Sequence, residues 1–248
     1  MSASVTASDR LERFLGRIAA NASDYDAAPV LIVAFGDSVT QGYTAHATID
    51  HDQVYHARLK RRLETTHPLT TFSVINAGAA GHTVQDALKR LERDVIRYDP
   101  DLLIVAFGLN DAAHGGCEGV PQFKADLNRL LERVETDTGA QVLLVTPSFT
   151  LQQVSDRVHP EELIYATGLL PLQHGGIVSA YATAIRQIGQ ARHLPVADVY
   201  AAWERAALAG VNTDDWLSNG LNHPTGEAHT ITADLLFELI TATQIKET

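Results

Sequence analysis

Short apolar runs alternate with longer amphipathic segments along the whole chain. Five runs rich in valine, isoleucine and leucine have the length of strands buried on both faces, at 30–35, 71–75, 101–107, 141–145 and 195–198. Apolar residues recur at helical spacing near 8–20, 52–67, 83–95, 120–138, 177–192, 199–209 and 225–242. This alternation predicts an α/β fold, a parallel sheet with helices on both faces, in one domain over 1–248. Ser8 or Asp9 is the expected cap of the first helix.

Three of the predicted strands end in short polar loops. The loops are Gly36-Asp37-Ser38, Asn76-Ala77-Gly78 and Gly108-Leu109-Asn110-Asp111. In a parallel sheet all three open at the carboxyl edge, where open α/β folds bind ligands. Attack on an acyl carbon needs a nucleophile and donors aimed at the developing oxyanion. We therefore predict Ser38 as the nucleophile, with an oxyanion hole made by the Ser38 N–H, the Gly78 N–H and the Asn110 side chain.

A serine needs a general base, and the chain offers 11 histidines. His223 is the best candidate, because it precedes Pro224 in a loop before the last helix and so can return to the carboxyl edge. His114, in the third polar loop, is the second choice. His82 follows Gly78 but lies at the start of a helix.

Four motifs, in this order, resemble those of the GDSL/SGNH hydrolase family: the three polar loops and Asn222-His223-Pro224. The resemblance implies a three-layer, flavodoxin-like, five-stranded sheet in the order 2-1-3-4-5. It also implies a serine ester hydrolase that works through an acyl-enzyme without a metal or other cofactor. Ser38 would be nucleophile and first oxyanion donor, Gly78 and Asn110 further donors, and His223 the base.

One departure concerns the group that orients the histidine. The family usually has an aspartate three or four residues before it, where this chain has Gly220 and Asn219. Three readings follow. A backbone carbonyl or the Asn219 oxygen orients His223, or Asp214 or Asp215 reaches in, or the chain is a weakened or non-catalytic binding protein.

The substrate expected from the resemblance is a short-chain or acetyl ester of a carbohydrate or small alcohol. A lipase or thioesterase acting on longer acyl chains is the alternative. Residues 148–176 form the longest stretch without a clear period, which is typical of loops that cover a substrate. We expect an irregular, substrate-side excursion there.

Composition limits the remaining possibilities. A formal net charge of -11 argues against nucleic acid or an anionic membrane surface as main partner. No apolar run is long enough to span a membrane, and Met1 to Ser8 lacks the pattern of a signal peptide, so a cytoplasmic location is expected.

Cys117 is expected to be unreactive. His51 and His56 lie near two aspartates but on different helix faces, so a solvated surface is favoured over a metal site. The sequence does not indicate an oligomeric state.

Overall fold

A five-stranded parallel sheet forms the centre of the molecule, in a computed structural model that describes residues 11–24 and 26–242. The strands are β1 (Val30–Gly36), β2 (Phe72–Gly78), β3 (Leu102–Ala106), β4 (Gln141–Val145) and β5 (Val196–Ala197). They are ordered β2-β1-β3-β4-β5, and every neighbouring pair is parallel. The predicted sheet and its order are confirmed.

Helices cover both faces of this sheet. They are α1 (Glu12–Ser23), α2 (Ser38–Gln41), α3 (Tyr55–Thr66), α4 (Val84–Asp94), α5 (Leu109–Gly115), α6 (Val120–Asp137), α7 (Leu163–His174), α8 (Ile177–Arg192), α9 (Val199–Leu208) and α10 (Gly226–Thr241). The expected caps Ser8 and Asp9 lie outside the described residues, as does the Met1 to Ser8 segment.

Alternate residues of the central strand separate two apolar cores. Ile32 and Ala34 of β1 face a core shared with α1, α3, α9 and α10. Val33 and Phe35 face a second core shared with α4, α6 and α8. Because side chains alternate along a strand, a strand buried on both faces is apolar at every position, which explains the uninterrupted apolar runs. The two cores and the sheet between them give the three layers that the sequence predicts.

The segment 148–176 is less irregular than its sequence suggests. Its second half is helical, with a 3₁₀ turn at Pro160–Glu162 followed by α7. Apolar residues occupy most positions of α7 and Pro171 lies inside it, so no polar face marks the helix in the sequence. The expectation of an irregular segment is therefore wrong for residues 160–174.

Two short helices, α2 and α5, were also not predicted from the sequence, because they contain too few turns to show a helical period. Each begins directly after a strand, α2 after β1 and α5 after β3. They carry Ser38 and Asn110 at the carboxyl edge of the sheet. Across the described part of the chain, none of the helices has both the length and the apolar character needed to cross a membrane.

Candidate active site

Ser38 and His223 meet at the carboxyl edge of the sheet although they lie at opposite ends of the chain. The Ser38 Oγ atom is 3.0 Å from His223 Nε2. Ser38 is the first residue of α2 and is 8% exposed. His223 lies just before α10, next to Pro224, which forms an antiparallel bridge with Leu217. The predicted pair of nucleophile and base is thus within hydrogen-bonding distance.

The other ring nitrogen of His223 faces a backbone carbonyl. His223 Nδ1 is 3.2 Å from the Thr44 carbonyl oxygen. A carbonyl can only accept, so this contact is a hydrogen bond when Nδ1 carries the proton. Nε2 is then unprotonated and accepts the hydroxyl proton of Ser38. This is the tautomer that a general base requires.

Asn219 approaches the same Nδ1 atom with its amide nitrogen. The Asn219 Oδ1 atom accepts the backbone N–H groups of Leu221, Asn222 and His223, at 3.0, 3.1 and 3.0 Å. These three bonds fix the orientation of the amide, and they place Nδ2 at 3.1 Å from His223 Nδ1. Because Nδ2 can only donate, it does not support the tautomer in which Nδ1 is protonated. Nδ1 thus faces a donor, Asn219 Nδ2, and an acceptor, the Thr44 carbonyl, and the acceptor is the one compatible with the tautomer that a general base requires.

The two nearby aspartates are engaged elsewhere. The Asp214 carboxylate accepts the backbone N–H groups of Gln152 and Gln153, at 2.7 and 3.1 Å. Asp215 forms an ion pair with Arg157 at 2.7 Å. These contacts argue against the reading in which Asp214 or Asp215 orients His223.

Burial lowers the pKa of His223, while the bond to Thr44 and the nearby charge of Glu162 oppose that shift. The imidazole is therefore neutral at neutral pH. A neutral ring with a free Nε2 lone pair is the form that can take a proton from Ser38.

The three expected oxyanion donors lie at the carboxyl edge of the sheet, where Ser38 begins α2, Gly78 ends β2 and Asn110 lies in the first turn of α5. Two of these donors have hydrogen-bond partners within the protein. The Gly78 N–H donates to Asn76 Oδ1 at 3.0 Å. Asn110 Nδ2 donates to the His82 carbonyl at 3.1 Å and lies 3.5 Å from Asp37 Oδ2. The Ser38 N–H is at the amino end of α2, where a helix offers it no acceptor.

Gly78 is required for a reason the sequence did not reveal. A Cβ atom at this position would lie 2.1 Å from the backbone nitrogen of Gln41 and 2.6 Å from the carbonyl carbon of Thr40. The glycine therefore allows β2 to pack directly against α2. This close approach of β2 to α2 helps to position Ser38.

Arg90 of α4 is a positioning residue that sequence reasoning missed. Only 6% of its surface is exposed, and its guanidinium donates to the carbonyls of Gly36 and Ala77, at 2.8 and 2.7 Å. It also pairs with Asp94 at 2.9 Å and lies over the Phe35 ring. Arg90 thus ties the ends of β1 and β2 together beneath the site. In the sequence, Arg90 directly precedes Leu91, a residue of the apolar stripe of α4. This position could have indicated that Arg90 is buried.

Two carboxyl groups of the polar loops are withdrawn from solvent, Asp37 almost fully and Asp111 in part. Asp37 accepts the Val39 N–H at 2.9 Å and so caps α2. Burial raises the pKa of Asp37 to about 7. Asp111 accepts the Val84 N–H at 3.0 Å, and burial raises its pKa to about 6.

The remaining candidates from the sequence have structural or peripheral positions. His82 Nδ1 accepts a hydrogen bond from Arg90 Nε at 3.2 Å, and His114 is exposed on α5. His51 is exposed, but His56 is buried, with Nε2 3.0 Å from the Thr40 carbonyl, so the expectation of a solvated face is wrong for His56. Cys117 is an exposed free thiol.

Comparisons with known proteins identify chains with a similar fold and sequence. A lipase/acylhydrolase from Enterococcus faecalis is 25% identical, with a TM-score of 0.66 over 86% of this chain and 95% of that chain. Axe2, an acetylxylan esterase from Geobacillus stearothermophilus, is 21% identical, with a TM-score of 0.65 over the same shares, and this likeness shows the fold. The uncharacterized lipoprotein YqeF of Bacillus subtilis is 35% identical over 82 residues, so the match spans about a third of each protein, 33% of this chain and 32% of that one.

The family comparison covers all four motifs. The model of the GDSL-like Lipase/Acylhydrolase family matches residues 34–231, which include Ser38, Gly78, Asn110 and His223. The resemblance inferred from the sequence is confirmed, and the chain belongs to the GDSL-like lipase/acylhydrolase family of ester hydrolases.

Proposed function

We propose that this protein is a serine esterase in which Ser38 is the nucleophile and His223 the general base. The observation that carries the proposal is the contact between Ser38 Oγ and His223 Nε2 at 3.0 Å, with Nδ1 of the same ring facing the Thr44 carbonyl at 3.2 Å. A hydroxyl paired with a correctly oriented, neutral imidazole is the arrangement that activates serine.

The reaction proceeds in two steps. His223 takes the Ser38 proton as Oγ attacks the ester carbonyl, and the Ser38 N–H, the Gly78 N–H and Asn110 Nδ2 stabilise the oxyanion. The imidazolium then protonates the leaving alcohol. In the second step His223 activates a water molecule, which hydrolyses the acyl-Ser38 ester and restores the enzyme. The Thr44 carbonyl holds the ring throughout, without the negative charge of an aspartate.

A short acyl group is the favoured substrate. The fold shared with an acetylxylan esterase favours a carbohydrate as the alcohol part of the ester.

Hydrolysis of p-nitrophenyl acetate by the parent and by a Ser38→Ala variant tests the proposal. The variant should lose turnover by several orders of magnitude, since loss of the nucleophile costs about 10⁶-fold in the serine-protease template. Ser179→Ala, in α8, removes a hydroxyl that contacts none of Ser38, Gly78, Asn110 and His223, and it should retain turnover. A Ser38→Ala variant with parental turnover would contradict the assignment.

Two further measurements separate the alternatives. A fluorophosphonate probe should label Ser38, whereas absence of labelling would favour a non-catalytic binding protein. A series of p-nitrophenyl esters from C2 to C12 should show the highest kcat/KM at C2. An optimum at C8 or longer would favour the lipase or thioesterase alternative.

A further inference from the structure

A group of two histidines and two glutamates lies beside the candidate active site and supplies no reacting atom to the proposed reaction. The rings of His46 and His159 are stacked, with centroids 4.0 Å apart and planes 6° from parallel. His46 Nε2 is 3.5 Å from Glu161 Oε2. One possible ligand atom from each of His46, His159 and Glu161 lies within 4.8 Å of the other two.

Glu162 sets the orientation of the His46 ring. His46 Nδ1 lies 3.1 Å from Glu162 Oε1, and a carboxylate there accepts the Nδ1 proton. The lone pair of His46 is then on Nε2, which is the atom that faces Glu161. A histidine that donates its other ring N–H to a carboxylate is a recurrent feature of metal sites, because the carboxylate fixes the ring and makes it more basic.

We propose that His46, His159 and Glu161 bind a divalent transition-metal ion, with zinc as the best chemical match. Imidazole and carboxylate ligands suit zinc, and three protein ligands leave a position for water. His159 Nδ1 now accepts the Glu161 N–H at 3.3 Å. Because a metal ion lies close to the plane of each imidazole that binds it, one ring must rotate out of the His46–His159 stack, and coordination by His159 also replaces this long bond, which is worth about 1 kcal/mol.

The ion would connect two segments that are distant in the sequence. His46 lies in a turn closed by the Thr44 N–H bond to the Thr48 carbonyl at 3.0 Å and by the Tyr43–Ile49 bridge. His159 and Glu161 lie where the 3₁₀ turn leads into α7. Metal binding would therefore fix the turn that carries the Thr44 carbonyl. The proposed zinc site does not include any atom that reacts in the ester hydrolysis. The proposed hydrolysis therefore still takes place without a metal.

Isothermal titration of tag-free protein with zinc chloride tests the site. The parent should bind one equivalent, and His46→Gln and His159→Gln should each weaken binding at least tenfold. Glu162→Gln should weaken it by about 10- to 100-fold, as loss of a supporting carboxylate does in known sites. His193→Asn removes an exposed histidine beside the amino end of β5, at the opposite edge of the sheet, and should bind zinc like the parent.

Hydrogen exchange gives a second readout that does not depend on activity. Zinc should slow exchange of the amides in 43–49 and 159–163 in the parent and leave His159→Gln unchanged. No zinc binding by the parent, or equal binding by the parent and both imidazole variants, overturns the proposal and leaves His46 as a partner of Glu161 and Glu162 only. Ser38→Ala should bind zinc normally, so failure of the esterase proposal is distinguishable from failure of this one.

Discussion

The Nδ1 atom of His223 lies 3.2 Å from the backbone carbonyl oxygen of Thr44, and no carboxylate hydrogen-bonds to this atom among the described residues. When Nδ1 carries the proton, this carbonyl accepts it as a carboxylate would, but it contributes no net negative charge. The Thr44 carbonyl can therefore orient His223, but it adds no charge that would stabilise the imidazolium form of this residue. The difference leads to a direct test at Asn219.

Replacement of Asn219 by aspartate should alter the pH dependence of the enzyme more than its maximal turnover. One carboxylate oxygen would keep the bonds to the backbone N–H groups, and the other would face His223 Nδ1 from the present Nδ2 position at 3.1 Å. The added charge should raise the pKa of His223, and with it the acidic limb of the kcat/KM profile, by about one unit. Maximal turnover should change less than tenfold, because Thr44 already fixes the tautomer.

Asn128→Asp is the matched control, since it adds the same charge on α6, where Asn128 Oδ1 accepts from Arg192 at 2.8 Å. Its pH profile should match that of the parent. In the serine-protease template, a change from Asp to Asn that imposes the wrong tautomer lowers turnover about 10⁴-fold. A comparable rise in Asn219→Asp would mean that the parental ring is in the wrong tautomer and that Thr44 does not orient it.

Removal of the Asn110 side chain should lower kcat with little effect on KM. Its amide is the side-chain donor of the proposed oxyanion hole, and loss of one such donor costs about 10²- to 10³-fold in kcat. Steady-state kinetics of Asn110→Ala with p-nitrophenyl acetate measures both constants. His114→Ala, at an exposed position later in the same helix, should retain the parental kcat. An unchanged kcat in Asn110→Ala would remove Asn110 from the hole.

A methyl group at position 78 should displace α2. Because the Cβ of Gly78→Ala would lie 2.1 Å from the Gln41 nitrogen, backbone atoms must move. We expect a loss of about 1–3 kcal/mol in the free energy of unfolding and at least a tenfold fall in kcat. Gly16→Ala, in the exposed part of α1 with no atom within 4 Å of the new Cβ, should instead gain about 0.5–1 kcal/mol. Urea denaturation of both variants gives the comparison.

Substitution of Arg90 by lysine should destabilise the fold even though the charge is kept. A single ammonium on a shorter reach cannot reproduce the fork that serves the carbonyls of Gly36 and Ala77. Loss of the bond to the Ala77 carbonyl should cost about 1–3 kcal/mol in the free energy of unfolding, whereas the Gly36 carbonyl also accepts the Ala79 N–H at 3.1 Å. Arg93→Lys changes an arginine that is 67% exposed and also pairs with Asp94, and it should cost less than about 0.5 kcal/mol. Equal effects of the two changes in chemical denaturation would contradict the role assigned to Arg90.

Buried His56 should make the protein less stable in mild acid. Burial lowers the pKa of His56 in the folded state to about 4, whereas the value in an unfolded chain is about 6.5. Between these values the unfolded state binds more protons, so the free energy of unfolding decreases as the pH falls from 6.5 towards 4. By linkage the loss between pH 7 and pH 5 is about 2 kcal/mol.

The measurement is the difference in unfolding free energy between the parent and His56→Gln at the two pH values. The raised pKa of Asp37 acts in the opposite direction, because the folded state then binds more protons, but it is common to both proteins and cancels. The advantage of the parent over His56→Gln should shrink by about 2 kcal/mol at pH 5. A difference that does not depend on pH would show that His56 does not titrate on unfolding.

Much of the fold could be predicted from local patterns. Val30 to Phe35 and Leu102 to Ala106 are apolar at every position because they are buried on both faces, and such runs are visible in any sequence. By contrast, α7 lacked a detectable period since it is apolar on most sides, and α2 was too short to show one. The domain division over 1–248 and the cellular location remain predictions.

The sequence by itself determined the family and the residue types at the ends of the strands. The sequence identified four candidate site residues from their side-chain chemistry or, for glycine, from the lack of a side chain. They are Ser38, Gly78, Asn110 and His223. Only the tertiary structure decided what surrounds them. Any residue can provide a carbonyl, so nothing in the sequence marks Thr44 as the acceptor for His223, and nothing marks Gly36 and Ala77 as acceptors for Arg90. The supports of this site are largely backbone atoms, whose roles depend on where the fold places them.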